Sequence, residues 1–447
     1  MLAVLLSFSV QGRQIAPADQ TRLQYALTAY TAGKVEEAEN TLRDLAERYP
    51  DKFEVVETLG LIYAGRGELD RALPLLEAGY RANQASPEAA ANLGAAYLKL
   101  SRVEKAVTTL HRAVSLDPKN GQTQSSYGQA LMMAKRPQEA ARAFGAANAR
   151  DPDNADTLYN WALAEFDSGE TRQTSAILAR IPSNSRSAQV ESLCGDAEES
   201  QGHFDRALAC FHSASQLEPS EANLSALGIE LLRHWSFDAA IKVYEYSLTK
   251  HPASSRLQTG LGIALYGNGG YEKAAHVFSG LLVSFPDEAS YAKFLGQACV
   301  ALKVESRADC AVLLSYAQQH PTDAVVGRLA AATILEQHDS AQFDLARRML
   351  ERAIAQDPRS ADGFYRLGVL DQEQGKWSDS VTRLQRAAAL WPGSSKTHLR
   401  LAVAYYHLGQ KEQAHQEAML QKQYRQSEDA DMEAKRKELT TFILQMH

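Results

Sequence analysis

Apolar residues recur along this chain at three- and four-residue spacing, the period of a helix with one buried face. A coarser rhythm is laid over that one. An apolar residue followed by glycine returns as Leu59-Gly60, Leu93-Gly94, Tyr127-Gly128, Leu227-Gly228, Leu261-Gly262, Leu295-Gly296 and Leu367-Gly368. Twelve positions after such a glycine stands an alanine, as at Ala106, Ala140, Ala207, Ala240 and Ala274. Pro50, Pro118, Pro152, Pro219, Pro252, Pro286, Pro358 and Pro392 follow, at separations close to 34 or its multiples. A mid-helix glycine costs about 1 kcal/mol against alanine. Its recurrence therefore implies a packing reason, the close crossing of two helices. Phe204, Phe237, Tyr271, Phe343 and Trp377 open the second helix of each pair. The prolines end it, because the ring lacks an N–H and clashes with the preceding turn. The pattern predicts an all-α chain of about twelve helix–turn–helix repeats, starting near residues 19, 53, 87, 121, 155, 188, 221, 255, 289, 327, 361 and 395.

This pattern resembles the tetratricopeptide repeat family, whose signature runs W-x2-L-G-x2-Y…A-x3-F…P. The resemblance covers Asp19 to Glu428 and implies a right-handed superhelical solenoid. It also implies a concave wall lined by the first helix of each repeat, at its second, fifth, sixth, ninth, twelfth and thirteenth positions. Carried onto this chain, those positions place Glu54, Glu57, Glu88, Asn92, Asp156, Tyr159 and Asn160 toward one end. Arg256, Lys293, Arg328, Tyr365, Arg366, Lys396, Arg400 and Tyr406 fall toward the other. The expected groove is acidic at its N-terminal end and basic at its C-terminal end. Lys396 and Arg400 match two positions of the carboxylate clamp of chaperone-binding relatives. Arg366, Ala331 and Leu335 do not, so that clamp is not expected. In its place Arg328, Arg366, Lys396 and Arg400 form a candidate anion-preferring patch for an acidic peptide, because guanidinium groups can grip carboxylates in two-pronged fashion.

Departures from the pattern divide the array. Thr174 replaces the expected alanine, Pro182 cuts a second helix short, and the polar run Ser183–Ser187 reads as a loop. A joint is expected there, between five repeats (19–187) and seven (188–428). Extra residues are expected around Pro321–Val326. In residues 429–447, Leu439, Phe442, Ile443 and Met446 share one helical face, with Lys435-Arg436-Lys437 outside it. That reads as a capping helix, since the end of a stack needs a polar outer side.

Residues 1–18 are a separate segment. Leu2–Val10 is apolar but too short to span a bilayer. It reads as the h-region of a signal peptide without a basic n-region, or as an apolar helix on the first repeat. In the first case the protein is exported, to a periplasm or beyond; otherwise it is cytoplasmic. No later stretch reads as a membrane span. Cys194, Cys210, Cys299 and Cys310 form two pairs, each inside one repeat. Export would favour disulfides, yet cysteine also serves as a small packed residue, and the second reading is the expectation.

A net charge of −7 and a pI near 6.0 argue against a nucleic-acid partner. His-Glu-x-x-His, Cys-x-x-Cys, Gly-x-x-x-x-Gly-Lys and Gly-x-Ser-x-Gly are all missing from the sequence, and the histidines are scattered. Neither catalytic residue nor cofactor nor metal is expected. The expected role is a non-enzymatic scaffold that holds protein or peptide partners. Narrower alternatives are an assembly factor of a secretion, pilus or polysaccharide export machine, or a docking subunit for a separate glycosyltransferase or protease.

Overall fold

The computed structural model describes residues 14–302 and 307–425. The expected capping helix lies outside these residues, as does all of the expected signal segment before Gln14. Among the described residues there are twenty-four α-helices, two short 3-10 turns and no strand. The chain forms two compact units, Met1–Cys210 and Phe211–His447.

The first unit pairs α1 (Pro17–Thr31) with α2 (Val35–Arg48), and α3 (Phe53–Gly65) with α4 (Leu69–Ala82). Then follow α5 (Pro87–Lys99) with α6 (Val103–Leu116), and α7 (Gly121–Met133) with α8 (Pro137–Asn148). The pair α9 (Ala155–Asp167) and α10 (Thr171–Leu178) precedes α11 (Ala188–Ser200) and α12 (Phe204–Leu217), the helix that carries the junction between the units. The second unit continues with α13 (Glu221–Arg233) and α14 (Phe237–Lys250), and with α15 (Ser255–Gly267) and α16 (Tyr271–Ser284). After these come α17 (Ala289–Ala301), α18 (Arg307–Gln319), α19 (Ala324–Glu336) and α20 (Phe343–Gln356). The last pairs are α21 (Ala361–Glu373) with α22 (Trp377–Leu390), and α23 (Ser395–His407) with α24 (Lys411–Arg425).

Three local devices make each repeat. A polar residue immediately before most first helices caps them. Ser86 accepts from the Ala89 amide at 3.0 Å, Asn154 from Thr157 at 2.9 Å and Ser254 from Leu257 at 3.1 Å. These caps satisfy amides that have no partner inside the helix. Next, the turn between paired helices needs one residue at positive φ. Glycine supplies it at Gly33, Gly67, Gly169, Gly202, Gly269, Gly375 and Gly409, but Ser101, Lys135, Trp235 and His338 also adopt it. Each of those four carries a Cβ into the left-handed region, at a cost of about 1–2 kcal/mol. Lys135→Gly should accordingly raise stability by about 0.5–1 kcal/mol, less than the full strain because glycine also loosens the unfolded chain. Urea unfolding of the full chain would read this, and an unchanged or lowered midpoint would show the turn to be unstrained.

The third device is the helix crossing. The mid-helix glycine of a first helix faces the large residue sixteen positions on, at the centre of its partner helix. A Cβ at Gly94 would come within 2.5 Å of Leu110, at Gly128 within 2.8 Å of Phe144 and at Gly262 within 2.5 Å of Phe278. The alanine of the pattern is fully buried at Ala106, Ala140, Ala240 and Ala274. Glycine therefore makes room for an aromatic or leucine side chain.

The second helix expected to be cut short before Pro182 is short. The helix α10 has 8 residues, shorter than any other described α-helix. The chain then turns through Ser183–Ser185, with Ile181 buried at 3% exposure and Arg186 donating to the Leu178 carbonyl at 3.1 Å. The insertion expected around Pro321–Val326 lies elsewhere. Asp323 accepts from the Val325 and Val326 amides at 3.0 and 2.9 Å, so its cap starts α19 at Ala324. The additional residues fall in the turn between α19 and α20, where Ser340–Gln342 form a 3-10 turn. The repeat read from 327 begins at 324, and Arg328 moves from its second position to its fifth.

The expectation of four packed thiols is overturned. Cys194 and Cys210 are bonded at 2.11 Å, and Cys299 and Cys310 at 2.07 Å. Hairpin packing brings each pair of Cα atoms to 5.8 Å, within the span of a disulfide. The first bridge joins α11 to α12 and the second α17 to α18.

Candidate protein-binding groove

The residues expected along the basic end of the groove are sorted by their neighbours. Arg328 on α19 and Arg366 on α21 converge on one carboxylate, Asp362. Arg328 Nη1 donates to Asp362 Oδ2, and Arg366 Nε donates to the same oxygen at 2.9 Å. Arg366 Nη1 also stands 4.0 Å from Glu336. Burial pushes the Asp362 carboxyl up, but the Arg366 and Arg328 charges outweigh it and hold the group below the usual range. These two arginines are thus balanced by acids of the chain itself.

Arg400 is held differently. Its Nη1 donates to Gln372 Oε1 at 3.3 Å, and Gln372 Nε2 donates to the Arg400 carbonyl at 2.7 Å. The half-buried guanidinium is positioned by a neutral amide, and no carboxylate among the described residues lies within ion-pair distance of it. Lys396 stands exposed one turn earlier on the same helix. Lys293 is half-buried on α17. Tyr365 packs against Leu384, Leu401 and Tyr405 and serves the core, while Tyr406 is 70% exposed.

In the first unit the acidic wall is partly quenched. Glu57 is 7% exposed, and burial pushes its carboxyl up against the lowering effect of the Asn92 hydrogen bond. Asn92 Nδ2 donates to Glu57 Oε1 at 2.7 Å, so both are engaged within the wall. Asn160 and Tyr159 are half-buried on α9, and burial, then the Asp167 charge, pushes the Tyr159 hydroxyl up.

Asp362, Glu336 and Gln372 were missed by the reading of the sequence, which counted cations without their partners. One signal was available, the four-residue spacing of Asp362 and Arg366 on one helix face. The cross-helix partners of Arg328 and Arg400 had none.

The repeat geometry defines an all-helical scaffold class, and family comparison agrees. Residues 63–129 and 131–197 match one tetratricopeptide repeat model, and residues 23–90, 225–289, 259–324 and 365–428 match a second. The matches span more than half of the chain, and the chain belongs to the tetratricopeptide repeat family, as a protein-interaction scaffold. No curated protein sequence matches it.

Solved structures resemble it at low identity. A tetratricopeptide repeat protein from Parabacteroides merdae is 15% identical, TM-score 0.39, over 56% of this chain and 100% of that one. The pilF protein of Pseudomonas aeruginosa is 18% identical, TM-score 0.38, over 46% of this chain and 94% of that one. YrrB, described as a tetratricopeptide repeat protein with an unusual peptide-binding site, is 15% identical, TM-score 0.38, over 42% and 95%.

Proposed function

We propose that α21 and α23 bind a carboxylate-bearing peptide segment of a partner protein, with Arg400 as the fixed point. The observation that carries this reading is the Arg400 guanidinium, half-buried, oriented by Gln372 and lacking a carboxylate of its own among the described residues. Such a cation favours an incoming carboxylate, and its fixed orientation lowers the ordering cost of binding. Arg328 and Arg366 frame the site through Asp362 without supplying net charge. Binding of this kind needs no chemistry from the scaffold, in keeping with a non-enzymatic role.

Arg400→Glu should weaken partner binding roughly 10- to 100-fold, the worth of one charge-assisted hydrogen bond. Pull-down of partners with the full chain, followed by titration of the captured segment, would measure it. An unchanged partner set with unchanged affinity would refute the site.

The disulfides support export, because such bonds persist in oxidising compartments. They favour the narrower role of an assembly factor in the cell envelope over that of a cytoplasmic docking subunit. Fractionation of cells making the chain would test this, and a wholly cytoplasmic, reduced protein would exclude it.

A further inference from the structure

We propose that the Cys194–Cys210 bridge, once reduced, becomes a zinc site completed by Glu191. The proposal rests neither on the peptide-binding reading nor on export. Glu191 and Cys194 lie three residues apart on α11, so one helix face carries both. Cys210 comes from α12, across the hairpin. A Glu191 carboxylate oxygen and the two sulfurs all lie within 4.8 Å of one another. Oxygen and sulfur ligands of one tetrahedral zinc ion, at about 2.0–2.3 Å from it, stand about 3.5–3.8 Å apart. Shifts of about 1 Å therefore close the three groups around an ion.

The carboxylate is already held in place. Arg186 Nε donates to Glu191 Oε1 at 2.6 Å, and Arg186 Nη1 donates to the Leu178 carbonyl at 3.1 Å. Outer partners of this kind orient metal ligands. The guanidinium also balances charge. Two thiolates and a carboxylate outweigh the double charge of zinc by a single negative one, which Arg186 offsets. Thiolates select zinc over magnesium or calcium. With three protein ligands, the fourth position of the ion is left to water.

The second bridge is built differently. Cys299 and Cys310 are almost fully buried and belong to no such ligand group among the described residues. Cys194 and Cys210 are half-buried. Thiol–disulfide exchange needs access to a sulfur, so the first bridge opens before the second. A dithiol supplies the two electrons and two protons that convert the bridge to two thiols, and closes into its own disulfide. Zinc then binds the two sulfurs as thiolates, and their protons pass to solvent. Reoxidation rebuilds the bridge and expels the ion.

The test uses the full chain, reduced with a limited amount of a phosphine, which ends as its oxide. Thiol alkylation with peptide mass spectrometry should find Cys194 and Cys210 free before Cys299 and Cys310. The reduced chain is then titrated in the absence of air with cobalt, a spectroscopic stand-in for zinc. One equivalent should bind with cobalt–thiolate charge-transfer absorption, and zinc should displace it; the oxidised chain should show no such absorption. Glu191→Gln keeps the size of the side chain and should weaken binding roughly 10- to 100-fold. Cys299→Ala/Cys310→Ala should leave it unchanged. Absorption that is missing from the reduced chain, that survives Cys194→Ser/Cys210→Ser, or that forms as tightly in Glu191→Gln would overturn the proposal. Hydrogen exchange of α11 and α12 gives a second reading: zinc should slow it in the reduced chain, and no slowing counts against the site.

Discussion

Tyr244→Ala should destabilise the Phe211–His447 unit by about 3–5 kcal/mol, the usual cost of emptying a large aromatic site. Tyr244→Phe should leave stability unchanged or raise it by about 1 kcal/mol. The contrast follows from two observations. The ring is fully buried between α13 and α15, and a Cβ at Gly228 or Gly260 would lie 2.4 or 2.3 Å from it. Two glycines thus open the space that the ring fills, and no smaller side chain can close it. The hydroxyl, in contrast, is buried without a hydrogen-bond partner, and burial pushes its pKa up. Removing it relieves a desolvated polar group and costs no bond. Adding Gly228→Ala to Tyr244→Ala should restore part of the loss, because the new methyl enters the vacated space. With two units, a global melt need not be two-state. Hydrogen exchange of peptides from α13, α14 and α15 gives the local stability directly. A large loss with phenylalanine would mean that the hydroxyl is bonded in solution.

The second large effect is expected at the Cys299–Cys310 bridge. Replacing both residues by alanine should lower the stability of the same unit by about 2–3 kcal/mol, the loop-closure contribution of a short disulfide loop. The bridge spans 11 residues and clamps α17 to α18. Both cysteines are almost fully buried, at 0% and 1% exposure, so alanine also loses some packing. A dithiol reductant should lower the thermal midpoint of the wild-type chain by more than that of the double variant, which keeps only Cys194–Cys210. An equal midpoint with and without reductant in the wild type would show that the bond contributes nothing. The Cys194–Cys210 bridge, with a separation of 16, should behave likewise in the Met1–Cys210 unit.

The helical repeat was legible because its causes are local. Apolar spacing, the prolines and the recurrent glycines each act within one hairpin, so phase could be read along the chain. The polar residues that cap first helices were also present in the sequence and went unused, though they would have placed the start of α19 correctly. Asp323, immediately before Ala324-Val325-Val326, is such a cap. The candidate groove was read less well. Tyr365 and Tyr406 both fall at expected groove positions, the fifth and the twelfth of their repeats, yet one is packed against Leu384 and Leu401 and the other stands in solvent. Arg328, Arg366 and Arg400 look alike in the sequence, and only Arg400 lacks an acidic partner among the described residues.

The sequence by itself determined the all-α class, the period, the pairing of helices and the shortened α10. Each of these follows from propensity and packing between residues close along the chain. The tertiary structure decided which charges remain available and which cysteines are joined. Those depend on residues from different helices meeting, as Asp362 meets Arg328, Gln372 meets Arg400 and Cys299 meets Cys310. A linear pattern records that a side chain faces the wall; the partner it finds there is set by the stacking of one repeat on the next.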